Sequence, residues 1–115
     1  MYNRHVIFFY YGENSFAIEQ QIDLQILEFV NANGADSLTK IDASETDPAS
    51  FVSQIVNISL LSPRRLIVVK NSEKSKSIWT TLGENLARVP DEIELIIVAE
   101  SPDKRTKTFK DLSKI

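Results

Sequence analysis

The sequence predicts an α/β fold in three layers, in which a parallel sheet is flanked by helices on both faces. Short, nearly continuous apolar runs of strand length alternate along the chain with segments whose apolar residues recur at the helical period. The connections between them are short, which favours right-handed crossovers between parallel strands. The composition agrees with one globular domain, since 43% of the 115 residues are apolar and only three are glycine.

The first strand and the first helix are predicted on either side of Gly12. The run "HVIFFYY", residues 5 to 11, is typical of a strand that is covered on both faces of a sheet. Asn14 or Ser15 is suited to cap the helix that follows, and Gly34 is suited to end it in a left-handed conformation. We expect the buried face of this helix to contain Ile18, Ile22, Ile26 and Val30, widened by Leu27 and Phe29.

A second strand and a second helix are predicted next. The stretch "SLTKIDA", residues 37 to 43, alternates only weakly between apolar and polar residues, which indicates a strand near an edge of the sheet. Asp47 is a suitable N-cap, and Pro48 is a suitable first residue of a helix. The inward face of this helix is predicted to contain Phe51, Val52, Ile55, Val56 and Ile58.

The second half of the chain continues the alternation. The runs "RRLIVVKN", residues 64 to 71, and "IELIIVAE", residues 93 to 100, predict the third and fourth strands. Between them lies a third helix, whose Trp79 we interpret as a core residue. Ser101 and Pro102 are expected to open a fourth helix. The apolar faces are predicted at Ile78, Leu82, Leu86 and Val89 in the third helix and at Phe109, Leu112 and Ile115 in the fourth.

Residues 1 to 115 therefore form a single predicted domain. Since the sequence stops inside an amphipathic helix with no strand after it, we expect the domain to be the N-terminal fragment of a longer chain. Cysteine is absent, which excludes disulfides and thiolate metal sites and fits a cytoplasmic localisation. A run of about 18 apolar residues is also absent, so we expect no segment to cross a membrane, and we expect no membrane partner.

The charges are distributed unevenly along the chain. The net charge is −3, with two Lys/Arg against eight Asp/Glu in residues 1 to 60 and eleven against eight in residues 61 to 115. An acidic chain is a poor non-specific ligand for nucleic acid, because that affinity scales with the cations presented on one face. Any contact with DNA would therefore be local.

The loop after the first strand is where an α/β nucleotide-binding fold holds phosphate. A phosphate-binding loop there needs G-x-x-x-x-G-K-[ST], and the last three positions counted from Gly12 are Ala17, Ile18 and Glu19. The chain therefore lacks the second glycine, the lysine and the hydroxyl that ligates magnesium. The sequence predicts a degenerate nucleotide site with no cofactor.

The ends of the later strands lead to the same conclusion. The third strand ends in Lys70 and Asn71, where either a nucleotide hydrolase or a receiver domain of two-component signalling would carry an aspartate. Glu100 follows the fourth strand without a histidine or a second acid at a matching strand end, so we interpret it as a solvated loop carboxylate.

The stretch "NISLLSPRR", residues 57 to 65, places two leucines after the expected end of the second helix. Leu60 and Leu61 are adjacent, so they cannot both face the same buried layer. At least one of them is expected to project outward, and packing of the pair into the core remains the alternative.

Cations crowd the predicted fourth helix. A solvated helix face and a contact with a phosphate backbone are both open interpretations. The cations are Lys104, Arg105, Lys107, Lys110 and Lys114.

Taken together, these features resemble the N-terminal domain of the delta subunit of the bacterial DNA polymerase III clamp loader. The resemblance rests on the order and spacing of three motifs along nearly the whole chain: "YYGENSFAIE" at the first strand end, "SLLSPRRLIVV" before the third strand, and "SPDKRTKTFKDL" after the fourth.

The resemblance implies an AAA+-like core that has lost its nucleotide site, in a catalytically silent subunit of a DNA-directed DNA polymerase. It implies that the domain binds the beta sliding clamp and helps to open it, within a loader that also contains gamma/tau and delta prime subunits and that contacts DNA as an assembled complex. The hydrophobic pair of the family maps onto Leu60 and Leu61, with Ser59, Ser62 and Arg64 beside it. Leu61 stands where phenylalanine is usual, so the anchor is smaller. A nucleotide-binding or signalling α/β domain with an unrecognised site is the alternative.

Overall fold

The computed structural model describes residues 6–58 and 63–115. Within them lies a four-stranded sheet with the order β1-β4-β3-β2, in which every neighbouring pair is parallel. The predicted parallel α/β fold is thereby confirmed. The strands are β1 (Ile7–Tyr11), β2 (Leu38–Asp42), β3 (Arg65–Lys70) and β4 (Ile93–Ala99).

Four helices cover the two faces of the sheet. One face packs against α1, and the opposite face packs against α2, α3 and α4, so the fold has three layers. Short 3-10 turns lie at several of the connections. The helices are α1 (Ser15–Asn33), α2 (Pro48–Val56), α3 (Lys76–Asn85) and α4 (Lys107–Leu112).

The two central strands hold the layers together. In β3, Leu66 and Val68 face α1, whereas Ile67 and Val69 face the other helical layer, and all four are fully buried. The side chains of a strand alternate between faces, so a strand covered on both sides needs a continuous apolar run. Full burial of one such side chain contributes about 1.5 to 3 kcal/mol.

The two outer strands are less covered. The expectation of an edge position for β2 is confirmed, and among the described residues β1 is the other edge strand. Phe8, Phe9 and Tyr10 are only half-buried, and Tyr11 is 44% exposed. The prediction that the first strand is covered on both faces therefore holds only in part, because β1 has one neighbouring strand instead of two. His5, the predicted first residue of that strand, lies outside the described residues.

The predicted N-caps are confirmed for the first two helices. Asn14 is the N-cap of α1, and its Oδ1 accepts a hydrogen bond from the Ala17 amide at 3.2 Å. At the other end, Gly34 ends α1 as predicted, and its amide donates to the Val30 carbonyl at 2.7 Å, but its φ of 90° and ψ of 158° differ from the left-handed helical conformation that we expected. Asp47 caps α2 by accepting from the amide of Ser50 at 3.0 Å.

Two apolar residues assigned to buried helical faces are exposed. Leu27 is 57% exposed because it lies on the outer side of α1, away from Ile22 and Phe29, which pack on the sheet. Ile58 is 49% exposed because α2 ends at Val56, before the helical face could carry it inward.

The last two helices also differ from the prediction in their limits. The fourth helix begins at Lys107 with Thr106 as its N-cap, instead of at Ser101 and Pro102. The third helix ends at Asn85, yet Leu86 and Val89 are still buried because a 3-10 turn continues the chain along the sheet. Hydrophobic periodicity therefore identified the buried side chains better than the helix ends.

Trp79 joins α3 to α4. It is buried, as predicted, and its indole Nε1–H donates to Thr106 Oγ1 at 3.0 Å, while Thr108 Oγ1 donates to its carbonyl at 2.9 Å. Gly83 makes this close approach possible, since a Cβ there would lie 2.2 Å from Thr108 Oγ1. Among the described residues, no helix is both long and apolar enough to cross a membrane.

Gly83→Ala is expected to lower the free energy of unfolding by about 1 to 3 kcal/mol, because the added methyl group overpacks the contact with α4. The higher helix propensity of alanine offsets at most about 1 kcal/mol of this loss. Urea titration would measure it. Thr80→Ala, on the exposed side of the same helix, is the control and should change stability little. A Gly83→Ala variant as stable as the control would show that α4 does not pack tightly on α3.

Candidate functional site

A cavity of about 160 Å³ lies at the carboxyl ends of β1, β3 and β4. This is the edge at which α/β sheets usually bind ligands. Its wall consists of Gly12, Ser15, Ile18, Glu19, Ile22, Lys70, Asn71, Val98, Ala99 and Glu100.

The turn from β1 into α1 forms one wall of this cavity. Gly12 has a φ of 124°, which favours glycine, and its amide donates to the Ala99 carbonyl at 3.1 Å. The helix begins directly afterwards, but the Asn14 side chain already occupies the Ala17 amide. In a phosphate-binding loop, amides of this first turn would point at the ligand.

The structure brings together three of the four residues of the predicted degenerate loop. Gly12, Ile18 and Glu19 line the cavity, whereas Ala17 is exposed and lines a shallow groove on the outer side of α1. Ile18, in the position of the lysine, is half-buried and packs on the core between α1 and the sheet. An apolar side chain and a carboxylate therefore stand where a phosphate would need a cation.

The end of β3 is held by local polar contacts. Asn71 adopts the left-handed conformation with a φ of 58°, and its Nδ2 donates to Asp42 Oδ1 at 3.1 Å. The side-chain hydrogen bond from Ser44 to Asp42, together with that from Asn71, lowers the pKa of the Asp42 carboxyl. The carboxylate of Asp42, at the end of β2, therefore stabilises the turn at Asn71 after β3. Sequence reasoning missed this pair, for which only the aspartate and asparagine at two strand ends gave a signal.

The acids near the end of β4 are not arranged for catalysis. Glu100 is exposed at the cavity rim, as expected for a loop carboxylate, and Glu73 Oε2 accepts from the Ser101 amide at 2.9 Å. Within the described ranges, no cluster of three or more His, Asp or Glu side chains could hold a metal ion. The cavity is also smaller than the roughly 300 to 1,000 Å³ of ordinary ligand pockets.

The connection between α2 and β3 contains the second candidate site. Ser59, Leu60, Leu61 and Ser62 lie outside the described residues. The residues that flank them point to solvent, since Asn57, Ile58, Pro63 and Arg64 are all exposed. In contrast, Arg65 is half-buried, and its Nη2 donates to Thr39 Oγ1 at 3.2 Å.

The model of the family described as "DNA polymerase III, delta subunit" matches residues 8–115. The chain belongs to this family. Its fold is similar to that of the Bacillus subtilis DNA clamp loader delta protein (YqeN), with a TM-score of 0.66 and 19% sequence identity. That match covers 96% of this chain and 36% of the other, so the chain spans about a third of the length of YqeN. No curated protein matches the chain.

In this delta-family chain, Arg64 lies near a partly buried acid on β4. Burial raises the pKa of the Glu94 carboxyl, the positive charge of Arg64 opposes that rise, and the negative charge of Glu28 adds to it. Burial, followed by the charge of Glu94, also raises the pKa of Tyr10, whose hydroxyl donates to Gln25 Oε1. The exposed Arg64 thus lies near Glu94, whose ionised form is disfavoured by burial.

Glu94→Gln is expected to raise the melting temperature of the delta-family domain at pH 7. The native state binds the Glu94 proton more tightly than the unfolded chain does, because the pKa of Glu94 is raised in the native state. Ionisation of Glu94 therefore destabilises the fold at a pH above its native pKa. This destabilisation disappears at a pH below 4.5, the ordinary pKa of a glutamate. Melting curves from pH 7 to pH 4 should show the gain shrinking as the pH falls. Glu45→Gln, at an exposed position, is the control. A Glu94→Gln variant that melts lower at pH 7 would contradict the assignment.

Proposed function

We propose that this chain is a non-catalytic domain of a clamp-loader delta subunit, which binds the beta sliding clamp and helps to open it. One observation carries the proposal: a chain of the delta-subunit family has an isoleucine and a glutamate where a nucleotide site needs a lysine and a hydroxyl. We infer that the core is AAA+-like and no longer binds nucleotide. Its contribution to replication would then be binding alone.

The clamp contact is proposed at Leu60 and Leu61, bordered by Ser59, Ser62 and Arg64. Support comes from the described flanks, because the chain on both sides of this segment is exposed and Ile58 already turns an apolar side chain to solvent. An exposed apolar segment between a helix end and a strand start is suited to insertion into a pocket of a partner.

The energetics fit an anchor that needs supporting contacts. Full burial of two leucines contributes at most about 1.5 to 3 kcal/mol each, which is enough for a small hot spot. A domain opens a ring without hydrolysis if it binds the opened form better than the closed one. A tenfold difference in affinity between the two forms shifts the equilibrium by about 1.4 kcal/mol.

The rest of the loader would supply the remaining activities. We propose that the 115 residues are the N-terminal domain of a longer cytoplasmic protein, in line with their 36% coverage of YqeN. Gamma/tau and delta prime subunits would assemble with that longer chain, and ATP would be bound by sister subunits.

Leu60→Ala combined with Leu61→Ala is expected to weaken binding to the purified beta clamp of the same organism at least tenfold, because it removes the apolar anchor. Surface plasmon resonance would measure the affinity. The melting temperature should change little, since the leucines are proposed to be exposed.

Leu82→Ala is the matched control, because Leu82 is fully buried in α3 and truncation of such a leucine costs about 2 to 5 kcal/mol. If the double variant loses as much stability as Leu82→Ala, the pair belongs to the core and the site assignment fails. The site assignment would also fail if the double variant bound the clamp with unchanged affinity.

The alternative of a nucleotide-binding domain is tested by calorimetric titration of the chain with ATP and Mg²⁺. We expect no binding up to millimolar ATP, since no lysine lies in the first turn of α1. Micromolar, magnesium-dependent binding that is lost on Gly12→Val would establish the alternative instead.

A further inference from the structure

The charges of this acidic protein are segregated. Residues 101–115 carry five Lys/Arg and two Asp/Glu, which leaves eight Lys/Arg and fourteen Asp/Glu for the other 100 residues. In contrast, α1, on the opposite face of the sheet, contains three acids and no Lys or Arg. The C-terminal segment is thus one of two basic stretches of an acidic protein, the other being residues 64–76, which carry five Lys/Arg and one Asp/Glu.

Three of the four lysines of this segment share one side of the helix. Lys107, Lys110 and Lys114 are exposed and follow the spacing i, i+3, i+7, which places them along one stripe of α4 and the turn after it. Leu112 and Thr108, on the other sides, are buried. We call these three lysines the basic stripe.

The two acids of the segment do not neutralise the stripe fully. Asp111 is largely buried, and its Oδ2 accepts from Lys107 Nζ at 2.7 Å. Asp103 is bound to Arg105 at 3.1 Å, and the Arg105 hydrogen bonds lower the pKa of its carboxyl to about 2. Each acid is thus committed to a cation, and the segment retains a net charge of +3.

The arrangement costs stability in the free protein. Like charges three and four residues apart on a helix repel each other, as Lys107–Lys110 and Lys110–Lys114 do. A cation in the first helical position, such as Lys107, also opposes the helix dipole. A bound polyanion would remove both penalties.

An exposed aromatic residue lies next to the basic segment. Lys104 Nζ is 5.8 Å from the centroid of the Tyr11 ring, and Tyr11 is in edge contact with Phe109 of α4 at 5.1 Å. The ring is 44% exposed and is held by stacking on Phe9 at 5.0 Å. Cations beside a rigid, exposed aromatic ring are the combination with which proteins bind single-stranded nucleic acid.

We propose that the basic stripe and Lys104 bind the phosphodiester backbone of DNA, with Tyr11 available to stack on a base of a single strand. The contact is made by this chain directly and is independent of the clamp contact proposed at Leu60 and Leu61. The site takes up backbone phosphates without reading the base sequence.

The experiment measures the binding of fluorescent 20-nucleotide oligo-dT and of a 20-bp duplex to the 115-residue chain, by anisotropy from 25 to 200 mM salt and with no clamp present. The four lysines, each contacting one phosphate, predict a slope of about −2.8 in log K against log salt for the single strand and about −3.6 for the duplex. Lys110→Gln with Lys114→Gln should reduce the magnitude of the slope by about 1.4 for the single strand and weaken binding at least fivefold at low salt.

This variant leaves Lys107 in place, so the largely buried Asp111 keeps its partner. Its melting temperature should stay the same or rise, because like-charge repulsion is relieved. The matched control is Lys40→Gln with Lys70→Gln, which removes the same charge from exposed positions on β2 and β3 and should change affinity less than twofold.

Several results would overturn the proposal: no binding of either DNA form at 25 mM salt, or an equal loss of affinity in the stripe variant and its control. Displacement of DNA by polyglutamate at equal charge concentration would also overturn it, and would indicate an acidic protein surface as the partner.

Tyr11→Leu should weaken binding of the single strand more than that of the duplex. An equal effect on both forms would refute the stacking role of Tyr11.

Discussion

The burial of β3 and β4 on both faces is the constraint on which the rest of the molecule depends. Their side chains fill the space between α1 on one side and α2, α3 and α4 on the other. A strand covered in this way cannot carry a polar side chain into either layer without a hydrogen-bond partner. Chemistry is therefore confined to the strand ends and to the connections between elements.

At the carboxyl ends of the strands, the polar groups are engaged with one another. Asn14 holds an amide of α1, Asn71 holds Asp42, and Glu73 holds the amide of Ser101. Hydrogen bonds of this kind fix the turns and use up donors and acceptors that a ligand would otherwise engage. The polar groups named here at the carboxyl ends of the strands are therefore engaged within the protein.

The surfaces left for function lie outside that edge. The described ends of the α2–β3 connection include an exposed isoleucine and an exposed arginine, and α4 carries lysines on the layer opposite the acidic α1. These features lie where the chain leaves the sheet, so the rigid core can position them without being altered by them.

Hydrophobic period and local residue types were sufficient to predict the strands, the parallel α/β class and most of the buried helical side chains, because these features are encoded locally. The three-dimensional packing was needed to show that β1 is an edge strand among the described residues, that Leu27 and Ile58 face solvent, and that α4 begins at Lys107. It was also needed to show the contacts of Asp42 with Asn71 and of Lys104 with Tyr11. Such pairings join residues far apart in the chain, and their distance depends on the strand order and on the packing of the layers, which no local pattern contains.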